Sequence, residues 1–222
     1  MINIKEWLPQ YKKLMLQEFG SRIIFMGLQG SYARNEASEN SDIDLVLILD
    51  TLTFDDLKKY KYLINKLPYS ELICGFISGK AELANWNTPE LFQFYHDTLP
   101  IIGHLDNIIP EISQDTVKQA IHNEACNIYH GCCHNFLYET DIDILKQLYK
   151  KVISILKAKC FENNQIYCKT QNELVRCIKN GLDKSLLITA IHRDSINEKN
   201  FELHSESLIA WSAKLISDYQ QS

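Results

Sequence analysis

Two apolar runs with the residue preferences of buried β-strands, 22–28 (RIIFMGL) and 42–49 (DIDLVLIL), stand on either side of a short polar segment. This arrangement constrains the chain more than any other feature. A pair of strands so apolar on both faces needs helices to cover it. The neighbouring sequence supplies them. Trp7, Leu8, Tyr11, Leu14 and Met15 recur at helical spacing within the first eighteen residues, and a second helical pattern runs over 54–64 up to Pro68. Residues 71–78 (ELICGFIS) read as a third strand, followed by short helical patterns over 80–86 and 89–96, the latter with Pro89 at its favoured first position.

The pattern then changes. Residues 99–113 carry two prolines and a glycine with little periodicity, as a linker would. After it only helical spacing is found, over 117–138, 141–161, 170–180, 182–193 and 201–219, with Thr170 and Glu173 as a capping box and Gly181 as a stop. The expected class is α+β: a mixed sheet with flanking helices over 1–108, then an all-α bundle over 109–222.

Composition narrows the function classes. The 222 residues are 45% hydrophobic and 23% charged, the balance of a soluble globular protein. The longest apolar stretch, 45–49, is far short of the roughly 20 residues a bilayer-spanning helix needs. Glu6 and Lys12 stand where a signal peptide would be apolar, so a cytoplasmic, membrane-free protein is expected. Seven cysteines at scattered spacings do not make a disulfide framework and suit a reducing compartment. Net charge is −5, and neither half carries the basic surplus that a nucleic-acid template demands. His122, Cys126, His130, Cys133 and His134 crowd one helical pattern, but a single straight helix cannot complete a tetrahedral zinc site, and a core stripe is the expected role.

The chemistry concentrates around the first two strands. The first ends at Gly30-Ser31, a turn whose amides and hydroxyl can grip phosphate oxygens. Asp42 and Asp44, two apart at the start of the next strand, send both carboxylates from one face. Hard oxygen ligands beside a phosphate-binding turn suit one or two Mg²⁺ ions and an in-line displacement at phosphorus. Either element alone is common at strand ends and in turns. Their combination between two strands carries the argument.

Gly30, Ser31, Asp42 and Asp44 resemble the signature of the nucleotidyltransferase superfamily that includes DNA polymerase β. That resemblance implies a third carboxylate from a later strand, and Glu71 is the acid on offer; a solvated strand-end acid is the other reading of it. The segment from Ser70 to Ile77, followed by Trp86-Asn-Thr-Pro89-Glu90-Leu-Phe92-Gln93-Phe94, is similar to aminoglycoside adenylyltransferases of the streptomycin and spectinomycin type. There a strand Glu activates the attacking hydroxyl and a Trp-bearing segment lines the antibiotic site, places taken here by Glu71 and Trp86. Residues 144–157 and 166–178 are similar to that family's phosphate-reaching helices, with Lys157 where the family has Arg and with Asn172 and Glu173 in place of small residues after Lys169. Lysine supplies charge without arginine's bidentate fork, and both lysines could equally be solvated helix-end charges.

The resemblance thus implies Mg²⁺-dependent transfer of AMP from ATP to a hydroxyl of a small polar, aminoglycoside-like acceptor held between the halves. Asp42, Asp44 and Glu71 would hold metal, with Glu71 doubling as base. Gly30, Ser31, Ser41, Lys157 and Lys169 would hold the nucleotide, and Trp86 the acceptor. A non-catalytic, antitoxin-type binding module of the same superfamily is the alternative.

Overall fold

The computed structural model describes residues 2–39, 41–179 and 181–220, and the chain divides into two compact units, Met1–Glu111 and Ile112–Ser222. In the first unit, helix α1 (Ile4–Phe19) leads through a 3₁₀ turn into strand β1 (Ile23–Leu28), the four-residue helix α2 (Gly30–Ala33) and strand β2 (Ile43–Leu49). Helix α3 (Phe54–Ile64), strand β3 (Ile73–Gly79), helices α4 (Lys80–Ala84) and α5 (Thr88–Asp97) and strand β4 (Leu99–Ile102) complete it. The sheet order is β3-β2-β1-β4, with β2 and β3 parallel and the other pairs antiparallel.

Alternation along β2 decides what covers each face. Ile43, Leu45, Leu47 and Leu49 pack with Trp7, Tyr11, Met15 and Leu63 of α1 and α3, whereas Val46 and Ile48 pack with Phe25, Leu83 and Leu91 toward α4 and α5. The strand is buried on both sides, as its unbroken apolar run requires.

Two boundaries in this unit differ from the sequence expectation. The segment read as the start of a linker contributes β4, which pairs only with β1; an edge strand tolerates Pro100, whose missing N–H is not needed on its open side. Strand β3 begins at Ile73 rather than Glu71. A 3₁₀ turn, Ser70–Leu72, precedes it, entered through Tyr69 in the left-handed region at φ 63° and closed by Leu72 N–H donating to the Tyr69 carbonyl at 3.0 Å. Gly75, at φ 147°, lies so close to the Leu45 backbone that no side chain could stand there, and it seats β3 against β2.

The second unit is helical throughout its described residues: α6 (Gln114–His134), continued by a π turn, Asn135–Glu139, then α7 (Ile142–Asn164), α8 (Gln171–Cys177), α9 (Gly181–Ile191) and α10 (Phe201–Asp218). The Thr170–Glu173 capping box forms, but α8 ends at Cys177 and Gly181 opens α9 instead of stopping the helix before it; Asn180 lies outside the described residues. A buried polar tie holds the bundle. Lys159 of α7 and Trp211 of α10 both donate to the Asp183 carboxylate of α9, at 2.6 and 2.8 Å. The five His and Cys residues singled out on α6 are not the core stripe expected of them. The buried face is Val117, Ile121, Ala125, Ile128 and Cys132, while His122, Cys126 and Cys133 are half-buried and His130 and His134 exposed, because helical rotation turns them away from the seam. Cys160 and Cys177 are joined as a disulfide, which the scattered spacing did not suggest. Among the described residues, no helix is long and apolar enough to cross a membrane.

Candidate active site

The antiparallel pairing of β1 and β2 brings the end of one strand beside the start of the next, so the Gly30-Ser31 turn meets Asp44. Gln29 N–H donates to the Asp44 carbonyl at 2.8 Å, fixing the turn to the strand backbone. Gly30, with φ 67°, lies directly against the Asp44 carboxylate, and a Cβ at that position would overlap it. Only glycine fits here, for conformation and for space. The Gln29 side chain reaches the other way, donating to the Thr98 hydroxyl at 2.6 Å and the Phe94 carbonyl at 3.3 Å, which anchors the turn to the end of α5.

Asp42, just ahead of β2, is exposed, and Asp44 is half-buried on the β2 face shared with Val46 and Ile48. The parallel register sets Cys74 opposite Asp44 and Phe76 opposite Val46. Cys74 is exposed on the edge strand, and Phe76 receives the ring of Trp86 edge-on at 5.3 Å between centroids and that of Phe94 at 5.1 Å. Trp86 is 40% exposed and donates from its indole nitrogen to Glu90 at 2.8 Å. This face therefore presents the Asp44 carboxylate and an aromatic platform, with Cys74 set opposite Asp44 by the register.

The remaining residues singled out in the sequence lie as follows. Ser31 is half-buried in α2, its carbonyl accepting from Glu36 N–H at 2.9 Å. Ser41 closes the loop ahead of β2, its hydroxyl accepting from Ser38 N–H at 2.8 Å. Arg34, the cation of that loop, pairs with Glu36 at 3.1 Å. Glu71 is exposed in the 3₁₀ turn before β3, off the ladder that aligns Asp44 with Cys74. Lys157 and Lys169 belong to the second unit: Lys157 is buried in α7 with its ammonium 5.2 Å from the Tyr167 ring, and Lys169 is exposed just ahead of α8. Sequence reasoning missed Cys74, because it searched the third strand for an acid; the signal was the strand register, which a start at Ile73 fixes and a start at Glu71 conceals.

The donor set fits magnesium. The ion binds through one or two carboxylates and completes its shell with water and substrate phosphates, so Asp42 and Asp44 suffice, and the glycine cradle leaves the Asp44 carboxylate uncovered by a side chain at residue 30.

Residues 8–78 match the nucleotidyltransferase domain family. Over 73 residues, 33% of this chain and 68% of the relative, the sequence is 36% identical to a protein of Methanocaldococcus jannaschii provisionally designated a protein adenylyltransferase. The fold is similar to that of spectinomycin adenyltransferase AAD(9) from Enterococcus faecialis, solved with ATP and spectinomycin, at a TM-score of 0.62 and 14% identity, covering 95% of this chain and 100% of that one. At that identity the likeness is one of fold.

Proposed function

The chain belongs to the nucleotidyltransferase superfamily, and on that premise we propose that it transfers AMP from ATP to a hydroxyl of a small polar acceptor of the aminoglycoside kind. The observation that carries this reading is the contact of Gly30 with the Asp44 carboxylate, which sets the Gly30-Ser31 turn beside an aspartate suited to hold a metal. The AMP donor is supported by the fold likeness to an enzyme solved with ATP, which extends through the helical unit.

In the proposed reaction the acceptor oxygen attacks the α-phosphorus in line, the bond to the β-phosphate oxygen breaks, and pyrophosphate leaves. Bound Mg²⁺, held by Asp42 and Asp44, supplies Lewis-acid neutralisation of phosphate charge. Gly30 and Ser31 orient phosphate oxygens through backbone amides and the hydroxyl, while Ser41 holds the loop carrying them to β2. Glu71 takes the acceptor's proton and adds to the metal-binding charge. Its place in a turn makes Glu71→Gln the discriminating variant for that role, with Cys74→Ser as control for the residue opposite Asp44. Trp86, backed by Phe76, offers a flat apolar surface against which a sugar ring can lie. Lys157 and Lys169 add the positive charge that a triphosphate needs beyond its metal.

The test is pyrophosphate release from ATP, GTP, CTP and UTP against a panel of aminoglycosides, polyols and hydroxyl-bearing peptides. ATP-dependent release with a small polyhydroxylated acceptor supports the reading. Release only with peptides would move the acceptor to a protein, and no acceptor-dependent release with ATP would overturn it.

A further inference from the structure

Away from the aspartates, one other cluster has the makings of a site. Cys160 of α7, Cys168 in the turn that follows and Cys177 at the end of α8 bring their sulfurs within 4.8 Å of one another, and among the described residues this is the only trio of His, Cys, Asp or Glu ligand atoms so close. Three separate elements supply it, so the convergence is tertiary and not a property of one helix. Cys160 and Cys168 are buried, at 2% and 4% exposure, and Cys177 is half-buried.

Two features distinguish the cluster from an apolar filler of thiols. The sulfurs of Cys160 and Cys168 are 3.6 Å apart. With a metal–sulfur bond of about 2.3 Å, three sulfurs around one ion stand about 4 Å apart, a spacing that Cys160 and Cys168 approach and that Cys160 and Cys177, bonded to each other here, would reach only once reduced. Asn164 also aims its amide at the group, 3.5 Å from the Cys177 sulfur and 4.0 Å from that of Cys160, an N–H donor of the kind that stabilises ligating thiolates from outside the coordination shell.

We propose that, in the reduced protein, Cys160, Cys168 and Cys177 form a three-thiolate site for copper(I). The disulfide between Cys160 and Cys177, whose Cα atoms are 6.5 Å apart, is the oxidised state of the same site. A dithiol opens it by exchange, donating two electrons and becoming a cyclic disulfide; each thiol that then ligates releases its proton to water. Thiolates select soft cations, and three ligands without a fourth suit copper(I), whereas structural zinc closes its shell with four. Occupancy would pin α7, the intervening turn and α8 together, the stretch that carries Lys157 and Lys169.

The full chain, reduced with a dithiol that is then removed without oxygen, is titrated with copper(I) in competition with a chromophoric copper(I) chelator. The expected result is one equivalent retained per chain with three sulfur neighbours by X-ray absorption. Affinity should fall at least tenfold in Cys168→Ser, which can still form the Cys160–Cys177 disulfide, and in Cys177→Ser, and should not change in Cys126→Ser on α6. The proposal is overturned by retention no greater than that of Cys168→Ser, by a Cys160–Cys177 bond that resists the dithiol, or by zinc held as firmly with four ligands.

Discussion

Gly30 is the residue on which the site turns. Its left-handed backbone would cost any L-residue about 1–2 kcal/mol, and its side chain would also displace the Asp44 carboxylate. Gly30→Ala should therefore lower Tm modestly but weaken Mg·ATP binding by tenfold or more, measured by calorimetry; unchanged affinity would separate the turn from the nucleotide. At Glu71 the expectation is kinetic. Glu71→Gln keeps size and should leave ATP binding intact while turnover falls about 10²- to 10⁴-fold, the usual loss for a general base. Turnover near that of the unaltered enzyme would give the proton to another group, and a loss in Cys74→Ser instead would give the role to the ladder position opposite Asp44. The sequence made Asp42, Asp44 and the glycine turn legible because their spacing is local. Cys74 and the off-ladder place of Glu71 were not, since both depend on which residue opens β3 and hence on pairing with a distant strand.

At the scale of elements, stability rests on ties remote from this chemistry. Asp56 caps α3 reciprocally with Thr53 and receives a two-pronged guanidinium from Arg22, at 2.8 and 3.0 Å. Arg22 above all, with help from Thr53 and against the effect of burial, holds the Asp56 carboxyl well below the usual carboxylate range. The folded value is depressed, so the stabilisation is complete above the ordinary carboxylate value of about 4 and is lost as pH falls through it toward the folded one. The Tm gap between the natural chain and Asp56→Asn should accordingly be wide near neutrality and close under acid; a gap independent of pH would contradict the assignment. Thr53→Ala, which removes the cap and the hydroxyl's bond to Asp56 but leaves Arg22 on the carboxylate, should cost about 1 kcal/mol by denaturant titration, without loss of turnover. Long periodic helices such as α6, α7 and α10 were readable from spacing. Strand β4 was not, because Pro100 argues against a strand everywhere except at an edge, and edge position is a property of the assembled sheet. Gly181 was misread for a related reason: glycine marks helix ends of both kinds, and only the backbone says which.

For the whole molecule, the proposed function assigns metal binding to the unit that carries the acids and triphosphate charge to Lys157 and Lys169 of the helical unit. Lys169→Ala in the full chain should weaken ATP binding severalfold and leave acceptor affinity unchanged, read by titration with each ligand. Equal losses for both would point to a structural role. Within the bundle, Asp183→Ala strips the shared acceptor from Lys159 and Trp211 and should cost about 3–5 kcal/mol, since it leaves a partly buried ammonium unpaired. The central claim is that the paired aspartates beside the glycine turn hold the metal for nucleotidyl transfer. Its most direct measurement is Mg²⁺-dependent pyrophosphate release by the Asp42→Asn, Asp44→Asn double variant, with folding verified by circular dichroism. The account predicts a folded protein with turnover lost at every Mg²⁺ concentration; a folded double variant that releases pyrophosphate at the rate of the natural chain would contradict it.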